Sequence, residues 1–304
     1  MCYNLGDMTV PPQLDKAFPT RPFDLHKYSA GTVTVVGGSH RFAHAPAICG
    51  LGARAAGAGL VHLVVPDASR HAAAALVPEA TFLRQVPKCI PPKSDVCAIG
   101  MGLEVSPASE MLLSRVLSGV AGRFVLDADA LSIIAGWRAC KPEFTPFPQG
   151  QTVVLTPHEG EAARLLACTS GDIQADRRTA VRRLVERYRA TVVLKGPHTL
   201  VASPADDTIF ECEAGNPFMA MGGMGDLLSG MISARWAFLA HRFPDASLHA
   251  LASLAASSAV WLHATASDAL VNSNPPQDPS LVNTARMVAM MRVQLERKPA
   301  NGQP

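Results

Sequence analysis

The stretch GNPFMAMGGMGDLLSG, Gly215 to Gly230, places Gly222, Gly223 and Gly225 directly before the acid Asp226 and an apolar run. Glycines in such a loop allow consecutive backbone N–H groups to form an anion-binding nest. A helix that begins near Asp226 adds the positive end of its dipole. An acid there can accept a proton from a hydroxyl that attacks a bound phosphate. The stretch therefore predicts a phosphate site with a base beside it. The simpler alternative is a glycine-rich turn with an Asp cap.

Around this stretch, short β-branched runs alternate with Ala-rich helical runs. Such alternation is typical of βαβ units, in which helices bury both faces of a mostly parallel sheet. The predicted strands are Thr32–Val36, Leu60–Val65, Val96–Ile99, Phe124–Leu126, Thr152–Leu155 and Thr191–Leu194. The predicted helices span about 45–57, 107–119, 159–167, 176–189, 226–240 and 246–266. A hairpin is predicted where Ser-Pro-Ala-Asp-Asp joins Thr199–Ala202 to Thr208–Cys212. No change in composition suggests a linker, so we predict one α/β domain.

Composition narrows the class of protein. The chain has 304 residues, of which 48% are hydrophobic and 17% charged, so it can bury a large core. A net charge of +2 predicts neither a nucleic-acid nor a membrane surface, and no apolar run is long enough to span a bilayer. The seven cysteines show no CxxC pair, which favours reduced, mostly buried thiols in a cytoplasmic protein. The arginines of RRTAVRRLVERYR, residues 177–189, lie opposite an apolar stripe, which favours a solvated helix face over a nucleic-acid patch.

Glycine loops follow two of the predicted strands. VVGGSHRFAHAP places Gly37 and Gly38 after the first strand, and IGMGLE places Gly100 and Gly102 after another. Open α/β sheets bind ligands at the carboxyl ends of their strands. Neither loop is a GxGxxG or a Walker A motif. A ligand loop and a plain tight turn are therefore about equally supported here.

Polar residues follow three other strands. VLDADAL contains Asp127 and Asp129, which could hold Mg²⁺ through water or orient a ligand, or could equally be a helix cap and a solvated acid. In TPHEGE, the neutral imidazole of His158 could donate to a ligand amide or phosphate. In LKGPHT, Lys195 can neutralise phosphate charge, and His198 and the threonine after it offer further hydrogen bonds.

Together these motifs resemble one family. GGS with a nearby Ala-Pro, VLDADAL, TPHEGE, LKGPHT and GNPxMAxGGxGDLLSG occur in the order found in the NAD(P)H-hydrate dehydratase family of the ribokinase-like superfamily. The resemblance covers about residues 24–292. It implies a three-layer αβα ribokinase-like fold with a mostly parallel central sheet, as a single domain over 24–292. Residues 1–23 are then expected to be an N-terminal arm, and residues 293–304 a flexible tail.

The resemblance also implies an activity, the repair of damaged nicotinamide cofactors. ADP, or ATP as second choice, would phosphorylate the C6 hydroxyl of the S-form of NADH or NADPH hydrate, and loss of phosphate would regenerate NADH or NADPH. Mg²⁺ would bridge the phosphates, although no motif assigns its ligands. The family often forms homotetramers. Only about two dozen residues precede the first strand, so we expect the epimerase of the pathway to be a separate protein.

Family positions transfer onto this sequence residue by residue. Asp226 would be the catalytic base. The hydrated dinucleotide would contact Ala45, Gly102, His158 and Asp226. The adenine nucleotide would contact Lys195, Gly196, Pro197, His198, Thr199, Asn216, Gly222, Gly223 and Gly225.

Four residues depart from the family pattern. Phe218 and His44 replace glycines, and Met221 and Met224 replace hydroxyl residues. Each lost hydroxyl removes a possible phosphate donor, worth about 0.5–1.5 kcal/mol net. Two other functions therefore stay open: a superfamily kinase for a small hydroxylated metabolite, and a catalytically weak nucleotide-binding relative that acts as a sensor. The departures leave open whether backbone amides alone hold the phosphate.

Overall fold

The computed structural model describes residues 10–296 except residue 20 and the segments 86–89, 91–92, 120–121, 141–146, 148–149 and 273–281. Nine strands lie within these residues: β1 Thr32–Val36, β2 Leu60–Val65, β3 Thr81–Arg84, β4 Val96–Ile99, β5 Arg123–Leu126, β6 Thr152–Leu155, β7 Thr191–Leu194, β8 Thr199–Ser203 and β9 Asp206–Cys212. They form one sheet in the order β3-β2-β1-β4-β5-β6-β7-β8-β9. Strands β1 to β7 pair in parallel, and the hairpin β8–β9 is antiparallel.

Helices cover both faces of this sheet. The α-helices of the described chain are α1 Ala45–Ala55, α2 Asp67–Leu76, α3 Pro107–Gly119, α4 Asp129–Cys140, α5 Glu159–Leu166, α6 Ser170–Ala175, α7 Arg177–Tyr188, α8 Met224–Arg242, α9 Leu248–Asn272 and α10 Thr284–Glu296. One apolar core joins the sheet to α1, α2, α8, α9 and α10. A second core joins its other face to α3, α4, α5, α6 and α7. The predicted three-layer αβα architecture is confirmed.

The strand order reverses between β1 and β4, which are neighbours in the sheet although β2 and β3 lie between them in sequence. The loops after these two strands diverge to opposite sides, and a crevice opens at the carboxyl edge of a doubly wound sheet at such a point. The backbone N–H of Gly38, after β1, donates to the carbonyl of Met101, after β4, at 2.9 Å. The two glycine loops of the sequence therefore meet at the crevice.

Helices α1 and α8 approach each other closely because glycines stand at their contact. A Cβ placed on Gly230 would lie 1.8 Å from the carbonyl oxygen of Cys49, and one on Gly52 would lie 2.0 Å from that of Leu227. No other residue fits either position without moving a backbone. This contact fixes the beginning of α8 against α1, the helix that follows the β1 loop.

Part of the predicted N-terminal arm packs on the domain. A 3₁₀ helix spans Pro12–Ala17, and Leu14 and Ala17 within it are buried. The buried guanidinium of Arg235, on α8, donates to the carbonyl of Ala17 and lies over the ring of Phe18 at 4.5 Å. At the other end, α10 continues to Glu296, four residues into the predicted tail. The remaining tail and residues 1–9 of the arm lie outside the described residues.

All six predicted strands and the hairpin are confirmed, as are the six predicted helices, with ends shifted by up to six residues. Among the described strands and α-helices, five escaped prediction: β3, α2, α4, α6 and α10. Strand β3 lies at the sheet edge with both terminal residues exposed, so its sequence lacks a buried β-branched run. Among the described helices, none is both long and apolar enough to cross a membrane.

We predict that Gly230→Ala lowers the free energy of unfolding by about 1–3 kcal/mol, because the new Cβ forces α1 and α8 apart. Urea unfolding measures the change. Gly136→Ala is the matched control: Gly136 is exposed on α4 with nothing within 4 Å of an added Cβ. The free energy of unfolding of this control should rise by roughly 0.5–1 kcal/mol, because alanine has the higher helix propensity. Equal stability of Gly230→Ala and the wild type would contradict the close packing.

Candidate active site

The glycine stretch forms the entrance to α8. Gly223 is the N-cap residue and has φ 92°, a left-handed conformation that glycine adopts without strain. An added Cβ on Gly222 would have nothing within 4 Å, so the backbone there is open to a ligand. Asp226 stands in the first turn of α8. The free N–H groups of this turn and the helix dipole favour an anion at this point.

A buried ion pair lies beneath this helix end. Lys195, directly after β7, places its Nζ 2.7 Å from Oδ1 of Asp127, directly after β5. Ser229, one turn into α8, donates from Oγ to the other carboxylate oxygen of Asp127 at 2.7 Å. A Cβ placed on Gly225 would lie 3.3 Å from Lys195 Nζ. The lysine ammonium is therefore next to the first turn of α8.

The pKa values of this pair keep both groups charged. Burial would raise the pKa of Asp127, but the charge of Lys195 and hydrogen bonds from Lys195, Ser229 and Thr156 lower it overall. Burial would lower the pKa of Lys195, but the carboxylates of Asp127 and Glu161 raise it overall. A fixed positive charge thus stays beside the entrance of α8.

Asp226 carries a perturbed carboxyl group. Burial, with a further contribution from the negative charge of Asp127, raises its pKa to about 7, although Lys195 acts in the opposite direction. Burial likewise raises the pKa of Glu161 to about 7. A carboxyl with a pKa near neutrality can both accept and release a proton at physiological pH. Asp226 therefore has the acidity that a general base requires.

His158 lies at the start of α5, where its side chain is the N-cap. Its Nδ1 accepts from the backbone N–H of Gly160 at 3.0 Å, and the backbone N–H of His158 donates to Oε2 of Glu161 at 2.8 Å. Burial and the charge of Lys195 lower the pKa of His158, so the ring is neutral, with its proton on Nε2. The side chain is 56% exposed, and its Nε2 lies 3.4 Å from Oε1 of Glu161. Lys195 Nζ lies 3.7 Å from the same Glu161.

The predicted dinucleotide contacts Ala45 and Gly102 lie together at the crevice. A Cβ placed on Gly102 would come within 3.2 Å of the Ala45 Cβ and 2.5 Å of the Phe42 Cβ. His44 is the residue before α1 and is exposed. Ala45, Gly102 and His158 all stand at the carboxyl ends of strands, the edge where Asp226 also lies.

The predicted adenine segment forms the turn between β7 and β8. Thr199 donates from Oγ1 to the carbonyl of Gly196 at 2.9 Å, and His198 has φ 52°. Arg177 donates to the carbonyl of Leu194 at 3.1 Å and pairs with Glu159 at 3.0 Å. Arg177 thereby joins the first residues of α7 and α5 to the end of β7. Gly196, Pro197 and His198 follow directly after this strand end.

Asn216 is held by α9. Its Nδ2 donates to Asp268 at 2.8 Å and to Ser267 at 3.0 Å, and its Oδ1 accepts from the backbone N–H of Phe218 at 3.2 Å. Asp268 also accepts from the backbone N–H of Gly215 at 2.8 Å. These bonds shape the loop before α8, consistent with the predicted role of Asn216.

The bulky residues of the stretch do not all point at the loop. Met224 is 5% exposed and belongs to the apolar core, and Phe218 packs partly against that core. Met221 is 44% exposed. The glycine backbone is therefore open despite these side chains, and the donors that it offers to an anion are backbone N–H groups.

The two acids of VLDADAL have different roles. Asp127 is the partner of Lys195 and Ser229, whereas Asp129 accepts from the backbone N–H of Glu104 at 2.8 Å and begins α4. Both carboxylates therefore have hydrogen-bond partners within the protein. Over the described part of the chain, no cluster of three or more His, Cys, Asp or Glu side chains could hold a metal ion.

Sequence reasoning missed the partners that join these residues. Ser229, Glu161 and Asp268 each bind a predicted site residue or its ion-pair partner, and Arg177 was assigned to a solvated helix face. Glu161 had a usable signal, because it crowds a helix start beside His158. For Ser229, Asp268 and Arg177, the local sequence pattern gives no signal of these contacts.

We predict that Asp226→Asn stabilises the protein at high pH. The folded-state pKa of Asp226 is about 7, above its ordinary 3.8, so ionisation opposes folding. This penalty is absent below pH 4, grows between pH 4 and 7, and is complete above 7. Urea unfolding should therefore show the variant more stable by roughly 1–3 kcal/mol at pH 8 and by less at pH 5. Asp245→Asn, at an exposed acid, makes the same charge change and should show no such difference.

Comparisons with known proteins identify relatives of this chain. The family model described as NAD(P)H-hydrate dehydratase matches residues 33–285. An ADP-dependent (S)-NAD(P)H-hydrate dehydratase of Neisseria meningitidis is 36% identical over 261 residues, which are 84% of this chain and 82% of that protein. A bifunctional NAD(P)H-hydrate repair enzyme of Gloeobacter violaceus is 36% identical over 259 residues. That match covers 82% of this chain but only 47% of the relative, so the chain spans about half the length of the bifunctional protein.

A solved structure supports the same fold. The ADP/ATP-dependent NAD(P)H-hydrate dehydratase of Bacillus subtilis, co-crystallised with ATP and Mg²⁺, superimposes with a TM-score of 0.75. It is 24% identical in sequence, and the match covers 92% of this chain and 94% of that one. The chain belongs to the NAD(P)H-hydrate dehydratase family.

Proposed function

We propose that this protein dehydrates the S-form of NADH or NADPH hydrate, with ADP or ATP as phosphoryl donor. The observation that carries the proposal is the position of Asp226, a carboxyl with a pKa of about 7 in the first turn of α8, behind an open glycine loop. Family membership and the ADP-dependent activity named for the Neisseria relative support the substrate and the donor.

The first step is phosphoryl transfer. The carboxylate of Asp226 accepts the proton of the C6 hydroxyl as its oxygen attacks the terminal phosphorus of the nucleotide. The bond from that phosphorus to the bridging oxygen breaks, which releases AMP from ADP or ADP from ATP. The new phosphate ester then leaves C6 as inorganic phosphate. Loss of a proton from the adjacent ring carbon completes the C5–C6 double bond.

Backbone groups are expected to hold the transferred phosphate. The exposed Gly222 and the Gly223 N-cap lead into the free N–H groups of α8, and Lys195 Nζ adds a full positive charge from below. Met221 and Met224 supply no hydroxyl, so N–H groups replace the missing donors. Lys195 already pairs with Asp127, which fixes its direction before any ligand binds.

Mg²⁺ fits this site only in the company of phosphates. Mg²⁺ in nucleotide sites is held by one or two carboxylates, water and the phosphates themselves. The described residues offer no cage of three such side chains, and Asp127 is already occupied by Lys195 and Ser229. We therefore propose that the nucleotide carries the ion. When bound, it would neutralise phosphate charge.

The hydrated dinucleotide is expected at the crevice between β1 and β4, where Gly102 and Ala45 meet, with the His158 Nε2–H as donor. The adenine nucleotide is expected along the β7–β8 turn from Lys195 to Thr199. The two ligands would then meet at Asp226, which lies between these positions at the carboxyl edge of the sheet.

Four further properties stay predictions: binding of Mg²⁺, a cytoplasmic location, a homotetramer and a partner epimerase. Family resemblance supports each of them. The crystallised Bacillus relative was obtained with ATP and Mg²⁺.

The decisive experiment follows reduced-nicotinamide absorbance after NADH hydrate or NADPH hydrate is mixed with the protein and either ADP or ATP. We expect recovery of the absorbance, and stoichiometric inorganic phosphate, with at least one nucleotide. Asp226→Asn should slow turnover by about 10²–10⁴-fold, the contribution of a general base.

Asp245→Asn, remote and exposed, should retain wild-type turnover. Full activity of Asp226→Asn would contradict the role of this residue as base. No turnover of either hydrate by folded protein would contradict the dehydratase function. Detection by mass of a stable phosphorylated product would favour the kinase alternative, and nucleotide binding without any turnover would favour the sensor.

A further inference from the structure

A cleft beside the crevice has no role in the chemistry described so far. It encloses about 220 Å³, and its lining includes Gln85, Leu103, Ser109, Met111 and Arg115. The first of these follows β3, the second follows β4 and the others belong to α3. The lining thus combines apolar side chains with two polar ones and one cation.

The cleft adjoins the glycine loops after β1 and β4. Leu103 is the neighbour of Gly102, the predicted dinucleotide contact. Gln85 donates from Nε2 to the carbonyl of Gly37 at 2.7 Å, so the cleft borders the end of β1. The cleft therefore continues directly from the place where the dinucleotide is expected to bind.

Arg115 provides an uncompensated charge in this cleft. It is exposed, and within the described chain it has no hydrogen bond or ion pair. The nearest acid before it on α3 is Glu110, which does not line the cleft and, five residues earlier, lies on a different side of the helix. Its donors are thus free as far as the described residues go, and a guanidinium with free donors is suited to bidentate binding of a phosphate group.

The opposite rim of the crevice is cationic as well. From Gly37 to Pro66 the sequence contains no acidic residue, and the exposed Arg41 stands in the β1–α1 loop beside Phe42. Phe42 contacts Gly102, so this loop lies on the same crevice. Positive charge on both sides favours a ligand with more than one phosphate.

We propose that Arg115 binds the phosphate on the ribose 2′ position at the adenosine end of the dinucleotide, and so makes this protein prefer the 2′-phosphorylated substrate, NADPH hydrate. This inference rests on the proposed function. The apolar side chains of Leu103 and Met111 would cover the adenosine, and Arg115 at the rim would receive the phosphate. An NADH hydrate lacks that group and leaves Arg115 in solvent.

The test measures binding of NADP⁺ and NAD⁺ by calorimetry at fixed ionic strength, with excess ADP present to fill the adenine-nucleotide site. Wild-type protein should bind NADP⁺ at least about tenfold more tightly than NAD⁺, as expected for a charged hydrogen bond. Arg115→Gln should reduce this ratio to about one and leave NAD⁺ affinity within about twofold. Arg182→Gln, at an exposed arginine on α7, makes the same charge change and should retain the wild-type ratio.

An equal affinity of the wild type for both dinucleotides would overturn the proposal, as would an unchanged ratio in Arg115→Gln or a failure to bind either one. Urea unfolding of Arg115→Gln, an exposed substitution, should match the wild type and so exclude misfolding. The hydrate assay tests the proposed dehydratase function independently of the role of Arg115. Turnover of both hydrates at equal kcat/KM would retain the dehydratase and reject the role of Arg115.

Discussion

The ion pair between Lys195 and Asp127 is the interaction on which the site depends. It joins the ends of β7 and β5, two strands that are separated by β6, directly beneath the start of α8. A charge this close to the core is costly unless it is paired and hydrogen-bonded. Ser229 donates a further hydrogen bond to Asp127, so the helix itself is attached to the pair. Removing either partner would leave a buried charge below the glycine loop.

The same pair sets the electrostatics of Asp226. Asp127 raises the pKa of Asp226 and Lys195 lowers it, but burial is the largest cause and raises it to about 7. The burial of Asp226 in turn depends on how closely α8 lies on α1, which Gly52 and Gly230 allow. A helix contact some distance from the chemistry therefore contributes to the acidity of the base. The site has this acidity without any ligand.

Local sequence patterns predicted the αβα layers, six strands and the hairpin, because each buried strand is a β-branched run bounded by turn residues. Helix α4, which begins at Asp129, was not among the predicted helices, although a helix cap was one of the two interpretations of VLDADAL. At the site as well, only features with a local sequence pattern could be predicted. Glycines and single polar residues at strand ends could be predicted, but Lys195 and Asp127 are 68 residues apart and Asn216 and Asp268 are 52 apart. Only the fold brings such partners together.

The most direct test of the account is the pKa of Asp226 in the free protein. The carboxyl chemical shift of ¹³C-labelled aspartate can be followed by NMR against pH, with Asp226→Asn identifying the signal. We expect a midpoint at about pH 7. Lys195→Met should raise that midpoint further, because the ammonium lowers it in the wild type. A midpoint near the ordinary value of 3.8 would contradict a desolvated base at the start of α8.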